Sequence, residues 1–323
     1  MERFLELLEA RKNPWSRERG LITVSNHISV LDDPLMWGVL PLKNDFEPSN
    51  LRWGLGAHDI CFANKALSTF FSVGQVLPTH RGFHSPLGGL FQPTMTQAIR
   101  LLSSAPYTPK IPGETAEAPS LANVRFDVPD PFSTGSLTYS TTGQDLFVAP
   151  SAYWLNRHSW VHIFPEGGVH QHATRSMRYF KWGIARLILE AEPMPDVVPM
   201  FIDGTCDMMP EDRTWPRFVP RAGKHVRVAF GEAVDTEKVF GDLRTRWQGL
   251  VAKSRKAAAA KQEKGDGSAQ GKEVMLIGDL PDDLKYSKEA EEIRIEVAQR
   301  VRNEVLKSMV SSYIEASVMM INQ

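Results

Sequence analysis

Two cysteines in 323 residues, Cys61 and Cys206, are too few for a disulfide framework and stand at no metal-ligand spacing, so both are expected as core thiols. The charges nearly cancel: 37 Lys plus Arg against 38 Asp plus Glu leave −1, without the basic surplus that a nucleic-acid partner requires. No stretch reaches the roughly 18 consecutive apolar residues of a spanning helix. The longest uncharged candidate, Ala66 to Leu77, contains Gly74 and is followed by Pro78. No Gly-x-Ser-x-Gly elbow occurs, which argues against a serine hydrolase of that type. Met1 to Lys12 carries several acids and resembles neither a secretory signal nor an arginine-rich presequence, so any address is expected to be internal. What remains, 42% hydrophobic and 23% charged, is a globular composition long enough for one large core with additions.

The most informative stretch is Asn26-His27-Ile28-Ser29-Val30-Leu31-Asp32-Asp33-Pro34. The apolar, β-branched Leu21-Ile22-Thr23-Val24 before it reads as a short buried strand, and Asp33-Pro34 reads as a helix cap with proline at the first helical position. His27 therefore sits in a strand-to-helix turn, five positions before Asp32. A neutral imidazole takes a proton from a hydroxyl when its other nitrogen donates to a carboxylate, which fixes the tautomer and stabilises the imidazolium. Asp32 is placed to be that carboxylate. Asn26 and Ser29 flank the histidine and are read either as turn-formers or as groups that orient it or donate to a developing oxyanion.

Three further strand-like runs end in polar turns: Gln75–Leu77 before Arg81, Val161–Phe164 before Glu166, and Val198–Ile202 before Asp203. Helical patterns alternate with them, most clearly Met177 to Ala191, and His225 to Phe230 alternates as an edge strand does. This order predicts an α/β fold, a mostly parallel mixed sheet flanked by helices, with ligands outside the carboxyl ends of the strands. The expected organisation is one α/β domain over 1–250 with an irregular insertion at 103–157, a linker at 251–283, and a C-terminal amphipathic helix at 284–323. The stripe Ala290, Ile293, Val297, Val301, Val305 on that helix is expected to pack on the domain. Among the histidines, His170-x-His172 invites a metal, but no carboxylate or cysteine stands at zinc-like spacing, and no metal or cofactor is expected. His162, inside an apolar strand, is expected as a satisfied core histidine. Arg213 to Arg227 interleaves Arg213, Arg217 and Arg221 with Trp215 and Phe218 and holds no acid, a pattern suited to an anionic membrane surface.

His-x4-Asp followed at a distance by Phe164-Pro165-Glu166-Gly167 resembles the glycerolipid acyltransferase family. NHISVLDDPLMWGVLP, LRWGLGAHDICF, FFSVGQVLPTHRG, SWVHIFPEG and SMRYFKWGIARLILEAE, in that order, narrow the resemblance to a branch that exchanges acyl chains between phospholipids and lysophospholipids and remodels cardiolipin in mitochondria. The resemblance implies that His27 activates an acceptor hydroxyl and that Arg81 binds the phosphate of the glycerolipid. It also implies that the turn of Glu166 and Gly167 holds the glycerol portion. It implies further a coenzyme A-independent reaction and peripheral, monotopic attachment to the inner and outer mitochondrial membranes, facing the intermembrane space. Association with other mitochondrial membrane proteins is also implied. Two departures stand out: only 26 residues precede His27 where the family usually has a longer apolar region, which counts against an N-terminal membrane anchor, and Gly168 stands where animal relatives often carry a basic residue. The rival readings are an acyl-CoA-dependent lysophospholipid acyltransferase with the same dyad and a non-catalytic lipid-binding protein of the same fold.

Overall fold

The computed structural model describes residues 1–103, 138–172, 174–264 and 277–321. In chain order the strands are β1 (Leu21–Val24), β2 (Arg52–Ala57), β3 (Val76–Thr79), β4 (Thr138–Tyr139), β5 (Phe147–Val148), β6 (Trp160–Ile163), β7 (Asp196–Asp203) and β8 (Arg227–Phe230). The helices are α1 (Glu2–Ala10), α2 (Asp32–Trp37), α3 (His58–Cys61), α4 (Lys65–Val73), α5 (Pro93–Leu102), α6 (Gly183–Glu190), α7 (Thr205–Met208), α8 (Thr236–Lys264), α9 (Asp282–Tyr286) and α10 (Lys288–Ile321).

Six strands form one sheet in the order β3-β2-β6-β1-β7-β8. β3, β2, β6, β1 and β7 run parallel, and β8 closes one edge antiparallel to β7. β1 and β6 are buried along their whole length, as parallel strands covered on both faces must be, which is why they read as unbroken apolar runs. Pro199, which lacks an N–H, sits where β7 passes from pairing with β1 to pairing with β8, so no central ladder loses a donor. All five parallel strands point their carboxyl ends to one edge. That edge carries His27 after β1, His58 after β2, Arg81 after β3 and Glu166 after β6, with Asp203 closing β7.

One large core joins Ile22 and Val161 of the sheet to Ile184 and Leu187 of α6, Phe240 of α8 and the stripe of α10. Ala290, Ile293, Val297, Val301 and Val305 are all fully buried, so the stripe packs on the sheet side of the molecule as its spacing predicts. Arg294 on the same helix is fully buried too. Its guanidinium lies between the rings of Phe91 and Trp247 and donates to the carbonyls of Leu284 and Lys285.

Three local expectations need correction. The helix expected over 177–191 begins at Gly183, because the N–H groups of Arg178 and Lys181 are spent on Glu166 and on the carbonyl of Pro165 instead of on a helical ladder. Asp33 does not cap α2, which starts at Asp32; its carboxylate accepts from Arg52 and from the Trp37 indole. The linker expected from 251 begins inside α8, whose alanine- and lysine-rich end favours helix through Lys264. Of the expected insertion, 138–157 contains the β4–β5 hairpin, and 104–137 lies outside the described residues.

Behind β1, His162 is a core histidine. The Trp160 indole donates to the Thr23 hydroxyl, which lies 2.8 Å from His162 Nδ1, and Ser25 Oγ faces Nε2 at 3.4 Å. Burial lowers its pKa to about 3, and burial followed by the charge of Arg157 lowers that of His158 to about 4. Both histidines titrate near 6.5 once unfolded. Below that pH the unfolded chain gains protons that the folded chain refuses, so stability is full above about 6.5 and falls on acidification. Each histidine contributes a slope of up to about 1.4 kcal/mol per pH unit until its folded value is reached. His158 has a positive φ, which asparagine tolerates. Denaturant titrations from pH 7 to 4.5 are expected to show a shallower acid-side loss in His158→Asn than in the native chain; equal slopes would remove His158 from the account.

Candidate active site

The turn after β1 folds around one carboxylate. Asp32 is fully buried, and its Oδ2 accepts from the backbone N–H of Ile28 at 2.6 Å and of Ser29 at 2.8 Å. His27 Nδ1 lies 2.9 Å from the same oxygen. A carboxylate oxygen already taking two N–H groups is an acceptor, so the imidazole donates from Nδ1 and its Nε2 keeps a free lone pair. The other oxygen, Oδ1, accepts from the hydroxyl of Thr205 at 2.5 Å. His27 itself is 20% exposed, and its ring stacks on Phe164 at 4.2 Å. The site thus presents an oriented nitrogen base at a half-open position.

The backbone of His27 is held from both sides. Its N–H donates to Glu166 Oε1 at 2.9 Å, and its carbonyl accepts from His170 N–H at 2.8 Å. The second oxygen of Glu166 accepts from Arg178 N–H at 2.9 Å. Glu166 is 3% exposed, and its carboxylate serves as a staple between the turns of β1 and β6. Gly167 follows with φ +70°, a conformation that favours glycine, and the Lys181 stem lies across its α-carbon.

Asn26 and Ser29 serve the same turn. The Asn26 amide both donates to and accepts from the backbone of Ile202 at 2.8 Å, tying the end of β1 to β7. Ser29 is fully buried and accepts from Leu31 N–H. Arg81 pairs side-on with Asp59, its Nε and Nη2 each donating to one carboxylate oxygen, and this hydrogen bonding holds the Asp59 carboxyl below its usual range. Asp203 pairs with Arg175. Trp215 and Phe218, at 85% and 76% exposed, project from the β7–β8 connection beside Arg213, Arg217 and Arg221. Next to the dyad turn lies a cavity of about 510 Å³ whose lining includes Asn26, Ile28, His170 and Arg175.

Among the described residues the cluster with metal-like proximity is His58, His80 and Asp145, and not His170 with His172. Burial raises the Asp145 pKa, but hydrogen bonds from Thr141, Ser140 and the backbone outweigh it and hold the carboxyl well below its usual range. These donors occupy the carboxylate, and His80 Nε2 faces the Thr141 hydroxyl at 3.1 Å. The cluster reads as a junction fastening the β4–β5 hairpin to the ends of β2 and β3.

Sequence reasoning did not find Thr205, whose hydroxyl donates to Asp32, Arg178, whose N–H donates to Glu166, or Lys181, whose ammonium lies 5.5 Å from the Phe83 ring and so bridges the turns after β6 and β3. A basic residue thirteen positions from Gly168 carries no sequence signal of belonging to that turn.

Glu166→Gln replaces one acceptor oxygen with an amide that cannot receive a backbone N–H, leaving a buried group unpaired at about 1–3 kcal/mol. The expected result is a lower melting temperature and a fall in kcat with little change in KM. A raised KM with unchanged stability would instead put Glu166 on the substrate.

Comparison with known proteins places these observations. A family model described as Acyltransferase matches residues 8–203. Tafazzin of Saccharomyces cerevisiae is 36% identical over 308 residues, which cover 93% of this chain and 69% of the yeast protein. N-acylphosphatidylethanolamine synthase of Arabidopsis thaliana is 32% identical over 217 residues, covering 67% of this chain and 56% of that protein. Tafazzin of Drosophila melanogaster is 28% identical over 245 residues, covering 76% and 47%. The chain thus spans about half the length of the plant and fly relatives and more of the yeast one.

Proposed function

The chain belongs to the acyltransferase family and to its tafazzin branch, an enzyme of acyl transfer on lipid substrates, and from that premise we propose a coenzyme A-independent phospholipid–lysophospholipid transacylase that acylates monolysocardiolipin. The observation that carries the mechanism is the 2.9 Å contact of His27 Nδ1 with the buried Asp32. His27 Nε2 takes the proton of the lysophospholipid hydroxyl as its oxygen attacks the ester carbonyl of a donor phospholipid. The carbonyl carbon passes through a tetrahedral oxyanion; the bond to the donor glycerol oxygen then breaks, and the imidazolium returns the proton to that oxygen. One ester replaces another, no covalent enzyme intermediate forms, and no thioester is consumed. Asp32 keeps the tautomer and offsets the positive charge that His27 acquires.

Arg81 and Lys181 are the cations proposed for phosphate. A planar guanidinium suits phosphate geometry, and its pairing with Asp59 keeps it aligned until the anion competes for it. β3 lies three places from β1 in the sheet, about 14 Å at ordinary strand spacing. A group held at Arg81 and a hydroxyl at His27 then belong to one large headgroup, which favours a lysocardiolipin with two phosphates. Bilayer contact is assigned to Arg213, Trp215, Arg217, Phe218 and Arg221, whose exposed rings and guanidinium groups suit the headgroup boundary of an anionic membrane. Among the described residues no helix is long and apolar enough to cross a membrane. The tafazzin relationship supports mitochondrial membranes as the location, with the intermembrane-space side and membrane-protein association as parts of the same proposal.

Acyl exchange between labelled phosphatidylcholine and monolysocardiolipin in vesicles, without coenzyme A, tests the reading. The native chain is expected to transfer label, and His27→Ala and Asp32→Asn are expected to lose at least about a hundredfold in rate while remaining folded. Transfer that requires acyl-CoA would overturn the donor assignment, near-native variants would overturn the dyad, and label on the amine of phosphatidylethanolamine would move the acceptor from a hydroxyl to an amine. Flotation on the same vesicles is expected to weaken for Trp215→Ser with Phe218→Ser; unchanged flotation would place the contact elsewhere.

A further inference from the structure

Among the described residues, the oxygen of Asp32 that does not face His27 has one partner, the hydroxyl of Thr205, 173 residues away in sequence and fully buried like the carboxylate it serves. The chain goes to some length to bring that hydroxyl there. β7 ends at Asp203, and the next residue, Gly204, turns the backbone with φ +85° in a space where an added β-carbon would stand 1.9 Å from the carbonyl of His225. Only glycine fits such a turn, and it delivers Thr205 as the first residue of α7, over the dyad. The Ile202 backbone just before the turn is gripped by the Asn26 amide, so α7 and the β1 turn are held in one frame.

A carboxylate with donors on one oxygen alone can rotate about its Cβ–Cγ bond and exchange which oxygen meets the imidazole. Here Oδ2 is fixed by two backbone N–H groups and Oδ1 by Thr205, so the carboxylate plane has no freedom and the Nδ1 contact is set by geometry. We infer that Thr205 is a positioning residue for acyl transfer: its hydroxyl locks the Asp32 carboxylate and through it the orientation and tautomer of His27. The inference rests on the dyad reading given above. Thr205 is fully buried and its hydroxyl reaches Asp32, so its part is in the chemical step and not in binding.

The test compares Thr205→Val, which keeps the branched shape and removes the hydroxyl, with Thr205→Ser, which keeps the hydroxyl, in coenzyme A-free exchange on the full chain well below its melting temperature. Thr205→Val is expected to lower kcat about tenfold or more with KM for the lysolipid within about twofold, and Thr205→Ser to recover kcat to within about threefold. Combined with Asp32→Asn, Thr205→Val is expected to cost little further rate, because both act through the same carboxylate. If the valine protein does not fold, Thr205→Ala takes its place under the same criteria. Native kcat in the variant lacking the hydroxyl, failure of serine to recover it, or a loss that adds fully to that of Asp32→Asn would each overturn the inference. His27→Ala, measured alongside, separates the two failures. An active His27→Ala removes the dyad reading itself, whereas an inactive one beside a native-like Thr205→Val removes only the role of Thr205.

Discussion

The site depends on a buried charge and the donors around it. Placing a carboxylate out of reach of water costs several kcal/mol unless its oxygens are hydrogen-bonded, and Asp32 is fully buried with four partners: Ile28 N–H, Ser29 N–H, His27 Nδ1 and the Thr205 hydroxyl. Those partners come from two strand ends that are far apart in sequence and adjacent in the sheet. The carboxylate therefore organises the β1 turn locally, fastens it to α7, and leaves His27 one orientation. Glu166 repeats the device on the other side, using its two oxygens to join the β1 and β6 turns through the backbone N–H groups of His27 and Arg178. Two carboxylates shape the loop; one of them also faces the base.

Strand order explains why the base lies where a large lipid can reach it. β1 sits inside the sheet, between β6 and β7, so His27 emerges near the middle of the edge at which all the parallel strands end. Arg81 stands toward one end of that edge and the Trp215–Phe218 connection toward the other. On the proposed reading a long lipid lies along that edge with its hydroxyl at the centre, beside the exposed Trp215 and Phe218.

Much of this is legible in the sequence. Leu21–Val24 declares itself as a doubly buried strand by composition, the 3.6-residue stripe from Ala290 to Val305 declares a packed helix, and the spacing of His27 and Asp32 declares their contact. The losses have physical causes. A sequence shows that Glu166 is a carboxylate in a turn, but not which way it points, and in the fold it points at backbone. Residues 177–182 have helical periodicity, yet their N–H groups find partners in the Phe164–Gly167 turn and the helix starts late. Asp33 has the form of a cap, but Arg52 and Trp37 claim it from β2 and from its own helix. Thr205 had no signal at all, because its partner is 173 residues distant and only the pairing of β1 with β7 brings them together.

The central claim is that Asp32 holds His27 with the proton on Nδ1 and the lone pair of Nε2 free for the acceptor hydroxyl. Nitrogen-15 NMR of the histidine-labelled chain reads this directly, with His27 assigned by its absence in His27→Gln. The account predicts a protonated Nδ1 and an unprotonated Nε2 for the neutral ring in the native chain, with the preference lost in Asp32→Asn. A neutral ring protonated at Nε2 in the native chain would contradict it, since such a ring has no base to offer the substrate.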